Sequence, residues 1–144
     1  MPRIKLEKLD NYRFCCTLNI RVGDLNYGSH LANDAVVALA HQARIEFFES
    51  LGVTELDLGD GKTGLIMADL AVNFLAEGFL NDSLDVYCDV TELTAKSFRM
   101  CHSLVRADEE IARVECGLLA FSYDERKVVR LPESFIKKIK GDIK

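Results

Sequence analysis

One helical stretch set among five alternating runs limits what this 144-residue chain can fold into more than any other feature. From Asn33 to Leu51, the residues Val36, Leu39, Ala40, Ala43, Phe47 and Leu51 recur at helical spacing, and Gly52 stands where a C-cap belongs. The early part, AVVALA, is apolar nearly all round, so this helix must be wrapped by other structure. Asn33 is the expected N-cap, and Asp34 suits the positive end of the helix dipole. Arg44 falls inside the apolar arc and needs a buried or interfacial acceptor.

Residues 12–22 alternate cleanly, with Tyr12, Phe14, Cys16, Leu18, Ile20 and Val22 on one face. After a loop over 53–63, four more runs read as strands: 64–76, 84–93, 96–107 and 110–124. In the first of these Ile66, Ala68, Leu70, Val72 and Phe74 alternate against Asp69 and Asn73. Turn signals at Glu77-Gly78, Asn81-Asp82 and Ala107-Asp108-Glu109 separate the runs. The order is one strand, one helix, then four strands in meander. It implies an α+β fold in which a curved antiparallel five-stranded sheet wraps around one long central helix. One helix cannot cover both faces of such a sheet, so a second copy is expected to bury the surface left over. A single domain spans 1–144, with its core over about 12–135 and a short basic tail over 136–144 that adds a helical turn or frays.

The formal net charge of −5 argues against a general nucleic-acid binder. No apolar run approaches the ~20 residues of a membrane span, and the first residues lack the apolar core of a signal peptide. Five cysteines without metal-type spacing read as reduced thiols of a cytoplasmic protein. Three dispersed histidines offer no metal site.

Between the first strand and the helix lies GDLNYGSHLAND, Gly23 to Asp34, with far more polar groups than a connection needs. This run, with His41-Gln42-Ala43-Arg44 on the helix, resembles the hotdog-fold acyl-CoA thioesterases of the 4-hydroxybenzoyl-CoA thioesterase-like group. Their usual pattern is D-x-D-x-x-G-H-x-N-N before the long helix and E-A-R upon it. The run Glu77 to Leu84, the stretch Thr94-Ala95-Lys96-Ser97-Phe98 and Leu131-Pro132-Glu133 are similar to later family segments. The resemblance covers roughly residues 12–135 and implies a hotdog fold, a homodimer or dimer of dimers, and hydrolysis of an acyl-CoA thioester. Coenzyme A is then part of the substrate, and no separate cofactor is expected.

Thioester hydrolysis needs a polarised carbonyl and a carboxylate that attacks or activates water. Free N–H groups at a helix N-terminus can polarise the carbonyl, and those around Asn33 and Asp34 open such a helix. The resemblance implies a catalytic group of Asp24, His30, Asn33, Asp34 and Gln42, with substrate contacts from Asn26, Tyr27, Asp69, Lys96 and Ser97. Two departures stand out. Asn26 replaces the second aspartate of the pattern and Gln42 replaces the helix glutamate, and an amide is no base near neutral pH. Asp24 is the first candidate for the missing carboxylate, followed by Asp34 and Asp69. A hydratase or dehydratase, whose family motif runs G-D-x-N-P-x-H, and a non-catalytic acyl-CoA-binding module are the alternatives. Lys62, Lys96, Arg99, Lys137 and Lys138 are candidate partners for the coenzyme A phosphates.

Overall fold

A computed structural model describes residues 1–141, so positions 142–144 of the basic tail lie outside the described residues. The elements in chain order are β1 (Phe14–Asn19), α1 (Asn33–Ser50), β2 (Thr63–Phe74), β3 (Ser83–Thr91), β4 (Ser97–Arg106), β5 (Glu109–Ser122), β6 (Lys127–Val128) and α2 (Glu133–Ile139). A single 3₁₀ turn, Val22–Asp24, follows β1.

The strands form one antiparallel sheet in the order β1-β3-β4-β5-β2, with the two-residue β6 paired to the end of β5. The fold is the expected hotdog arrangement of a sheet around a long helix, with one correction. Only β3, β4 and β5 form a meander; β2 pairs with β5 at the far edge. The chain reaches that edge because α1, joining β1 to β2, must cross the sheet between them.

Helix α1 buries Val36, Leu39, Ala40, Ala43, Phe47 and Phe48 against Leu84, Val86, Phe98, Met100, Leu104, Val114 and Leu118. Each large side chain fully withdrawn from water contributes about 1.5–3 kcal/mol. The start of the basic tail takes the helical alternative, joining the residues before it in one short helix over 133–139. This helix, α2, drops Phe135 beside Phe48 and Phe98 at ring separations of 6.2 and 5.5 Å and closes one end of the core. Arg44 is buried as expected, and its Nε donates to Glu55 Oε2 at 2.9 Å. The N-cap is Ala32, one residue before Asn33, so the helix start has no capping side chain.

Two features were not readable from periodicity. Residues 4–6 run along the sheet, held by Asn73 Nδ2 donating to the Ile4 carbonyl and Arg113 donating to the Leu6 carbonyl. In β2 a bulge falls between Met67 and Asp69. It shifts the alternation, so Met67 opposite Leu118, Leu70 opposite Cys116 and Phe74 opposite Ala112 all share the helix-side face. Ile66, opposite Leu119, is on the other face, contrary to the simple alternation read from the sequence. Leu65 at the start of β2 is buried in the core, but farther along the strand the helix-side face is only partly covered. Met67, Leu70 and Phe74 are 42%, 43% and 58% exposed there.

Candidate active site

The run GDLNYGSHLAND folds into a tight, self-bonded loop. Leu25 bridges Leu31, and Asn26 N–H donates to the His30 carbonyl at 2.9 Å. Asn26 Oδ1 accepts the Gly28 N–H at 2.8 Å, an Asx turn that shapes the tip. Ser29 takes φ 63°, the left-handed conformation that such a reversal requires. The Leu31 N–H donates to the Gly78 carbonyl at 2.8 Å, which ties this loop to the β2–β3 connection. Gly78 packs closely at that contact: an added Cβ would come within 2.7 Å of the Ile20 Cδ1 methyl, which would have to turn aside.

The tie brings a second segment into view. Asn26, His30, Leu31 and Asn33 line a cleft of about 610 Å³ together with Phe74, Leu75, Ala76 and Glu77. The cleft therefore joins the start of α1 to the end of β2. With alanine as its cap, the helix leaves the Asn33 N–H without an acceptor among the described residues, and the Asn33 side chain instead accepts from Asp34 N–H at 2.7 Å. His30 Nε2 stands 3.9 Å from Glu77 Oε2. That gap exceeds a hydrogen bond and suits a shared water. Assigning the Nδ1 proton to the Leu31 carbonyl, 3.4 Å away, leaves Nε2 an acceptor.

Glu77 is the carboxylate of the cleft, and the sequence reading treated it only as a turn residue. Its signal was its place directly after a strand that ends in Phe74-Leu75-Ala76 and before a glycine. Of the expected catalytic residues, His30 and Asn33 do line the cleft. Asp24 is buried outside its lining. Its Oδ2 accepts the Arg21 N–H at 2.8 Å, and its carboxylate also meets the Arg21 guanidinium. Asp34 is exposed on the first turn of α1. Gln42 lies on the exposed side of α1 and donates to Glu46 at 3.0 Å.

The expected substrate contacts divide. Asn26 lines the cleft, whereas Tyr27 projects fully into solvent. Asp69 and Ser97 line a separate hollow of about 340 Å³ with Arg99. Asp69 opposes Gly117, one residue from the helix-side Cys116, so this hollow is on the far face of the sheet. Arg99 donates to both Asp69 oxygens, at 3.0 and 2.8 Å, and those bonds hold the Asp69 carboxyl below its ordinary range. Asp69 is thus already paired, and so is Arg99, which also meets Glu115. Lys96 is exposed on the β3–β4 turn beside Ser97. Lys138 is engaged by the Leu51 carbonyl at 2.7 Å. Among the described residues, no three His, Cys, Asp or Glu side chains are grouped to hold a metal ion.

The profile of the thioesterase-like superfamily matches residues 20–139. Comparison with curated proteins finds no match. Among solved structures, a 1,4-dihydroxy-2-naphthoyl-CoA thioesterase from Synechocystis superposes with a TM-score of 0.80 at 18% identity, over 88% of this chain and 95% of that one. A gentisyl-coenzyme A thioesterase gives 0.76 at 20% identity, over 85% and 97%. A protein from Aquifex aeolicus gives 0.81 at 15% identity, over 88% and 98%. At such identities the likeness is one of fold.

Proposed function

The chain belongs to the thioesterase-like superfamily, and from that premise we propose that it hydrolyses an acyl-CoA thioester in the cleft between the start of α1 and the end of β2. The observation that carries this reading is the meeting of an uncapped helix N-terminus with a carboxylate, Glu77, across one cleft. The thioester carbonyl oxygen lies against the Asn33 N–H, where the helix dipole favours developing negative charge. Asn26 fixes the loop that forms the opposite wall. Water sits between His30 Nε2 and Glu77, and the Glu77 carboxylate takes its proton as oxygen attacks the carbonyl carbon. Carbon–sulfur cleavage then releases the acid and coenzyme A.

The enzyme works as a pair of copies. The edge of β2 beyond Leu65 and the exposed Met67, Leu70 and Phe74 beside it are the surface that a second copy covers, β2 against β2. No helix among the described residues is long and apolar enough to cross a membrane. The five free cysteines support a reducing, cytoplasmic setting.

The test is thiol release from acetyl-, octanoyl- and benzoyl-CoA, followed with a thiol reagent. Catalytic release from at least one of them supports hydrolysis. Hydration of an enoyl-CoA without thiol release supports the hydratase reading, and tight binding without either reaction supports a binding module.

A further inference from the structure

Two turns far apart in the sequence meet beside the cleft. Glu77 sits in the connection between β2 and β3, where residues 75–82 belong to no strand or helix. Its backbone is held there by individual bonds, not by a ladder. Before it, the Leu75 and Ala76 N–H groups both donate to the Ile111 carbonyl, at 2.9 and 3.2 Å. After it, the Asn81 N–H donates to the Ile20 carbonyl at 2.9 Å. Between these anchors two successive carbonyls are taken from outside the connection. The Leu31 N–H takes the Gly78 oxygen, and Arg106 takes the Glu77 oxygen, its Nη1 donating at 2.6 Å.

The β4–β5 hairpin puts Arg106 in reach. Ala107 and Asp108 both take positive φ, 45° and 71°, which closes a two-residue turn and sets Arg106 directly opposite Glu109. The guanidinium is then fixed from three further sides. Glu109 accepts from Nη2, Asp82 Oδ2 accepts from Nη1 at 3.1 Å, and the Phe79 ring centroid lies 5.6 Å from Cζ. Asp82 Oδ2 also accepts the Phe79 N–H at 2.8 Å, so one carboxylate ties the far end of the connection to the arginine. Partly exposed ion pairs of this kind contribute little to stability. Their consequence is direction: a planar fork held on several acceptors keeps the Glu77–Gly78 peptide in one orientation. The bond goes to the backbone, so it fixes the residue from which the carboxylate projects and leaves the carboxylate to the cleft.

We propose that Arg106 is a positioning residue for the hydrolysis, holding the Glu77 carbonyl so that the carboxylate stays across one water from His30 Nε2; this rests on the hydrolytic reading above. Arg106 does not line the cleft and acts only through Glu77. Without it the Glu77–Gly78 peptide can turn, and a shift of about 1 Å in a reacting group is enough to slow a reaction up to about 100-fold.

A double-variant cycle on the full-length chain tests this, with thiol release from the best member of the acyl-CoA panel as the readout. Arg106→Ala should lower kcat about 10–100-fold while KM moves less than about threefold, the pattern of a lost transition-state interaction. In a Glu77→Gln background the same change should cost less than about twofold, because the group it positions is already gone. Arg106→Lys keeps a donor without the fork and should fall between wild type and Arg106→Ala. The cycle is run with the lysine variant as well, so that a poorly folding alanine variant does not decide the outcome. An unchanged kcat in both Arg106 variants, a loss confined to KM, or losses that multiply in the double variants overturns the proposal while leaving hydrolysis standing. A wild-type chain that releases no thiol removes the parent reading first, and this inference falls with it.

Discussion

Asp24 Oδ2 accepts the backbone N–H of Arg21 at 2.8 Å, so this carboxylate closes the 3₁₀ turn that leads into the site loop. Asp24→Ala should therefore act on stability first. Loss of a capping acceptor of this kind lowers unfolding free energy by about 1 kcal/mol, readable as a shift in the urea midpoint. Turnover per folded molecule should fall far less than in Glu77→Gln.

The Arg44–Glu55 pair is mostly buried, and removing one partner strands the other. Glu55→Gln leaves a guanidinium without its counter-charge beside Cys116, and should lower stability by roughly 3 kcal/mol in chemical denaturation. Gln42→Ala, one residue from His41 but on the exposed side of α1, should shift the midpoint little.

His102 ties the core to pH. Its Nδ1 donates to the Val114 carbonyl at 3.1 Å, while its buried Nε2 has no partner. Burial disfavours the charged ring and pulls its pKa from 6.5 down to about 4. The folded state therefore binds fewer protons than the unfolded chain below pH 6.5. Stability is fully present above that pH and declines on acidification, by roughly 3 kcal/mol on reaching the folded pKa. A non-titrating His102→Gln variant should flatten that part of the stability–pH curve. An unchanged slope would assign the acid sensitivity to other groups.

Leu70 is exposed on the helix-side face of β2 without lining the cleft. Leu70→Glu should convert the dimer to a monomer in light scattering and lower turnover at least tenfold, with thermal stability of the isolated chain little changed. Wild type that is monomeric at working concentrations would contradict the shared β2 edge.

Much of the fold was legible because it rests on local periodicity. The helix over 33–51, the strand runs and the buried pairing of Arg44 all follow from spacing, and the structure departs from them by at most three residues at the ends. Strand order was not legible, because periodicity tells which residues face the core but not which strand lies beside which. The β2 bulge escaped for a related reason: one extra residue at Ala68 moves every later side chain to the other face without altering composition. At the site, the loop residues Asn26, His30 and Asn33 were visible as a polar cluster in one short run. Glu77 was not, because it is 47 residues from His30 and meets it only through the bond from Leu31 to Gly78. Conversely, the family pattern drew attention to Asp24 and Asp69, each of which is held by a neighbouring arginine.

The central claim is that Glu77 activates water for thioester hydrolysis. The most direct measurement is the kcat for thiol release from the best acyl-CoA of the panel by wild type, Glu77→Gln and Asp24→Asn, each shown folded by circular dichroism. The account predicts a loss of about 10²–10⁴-fold in Glu77→Gln, within the range of a lost general base, and a much smaller loss in Asp24→Asn. Wild-type turnover in Glu77→Gln, or the large loss appearing in Asp24→Asn instead, would contradict it.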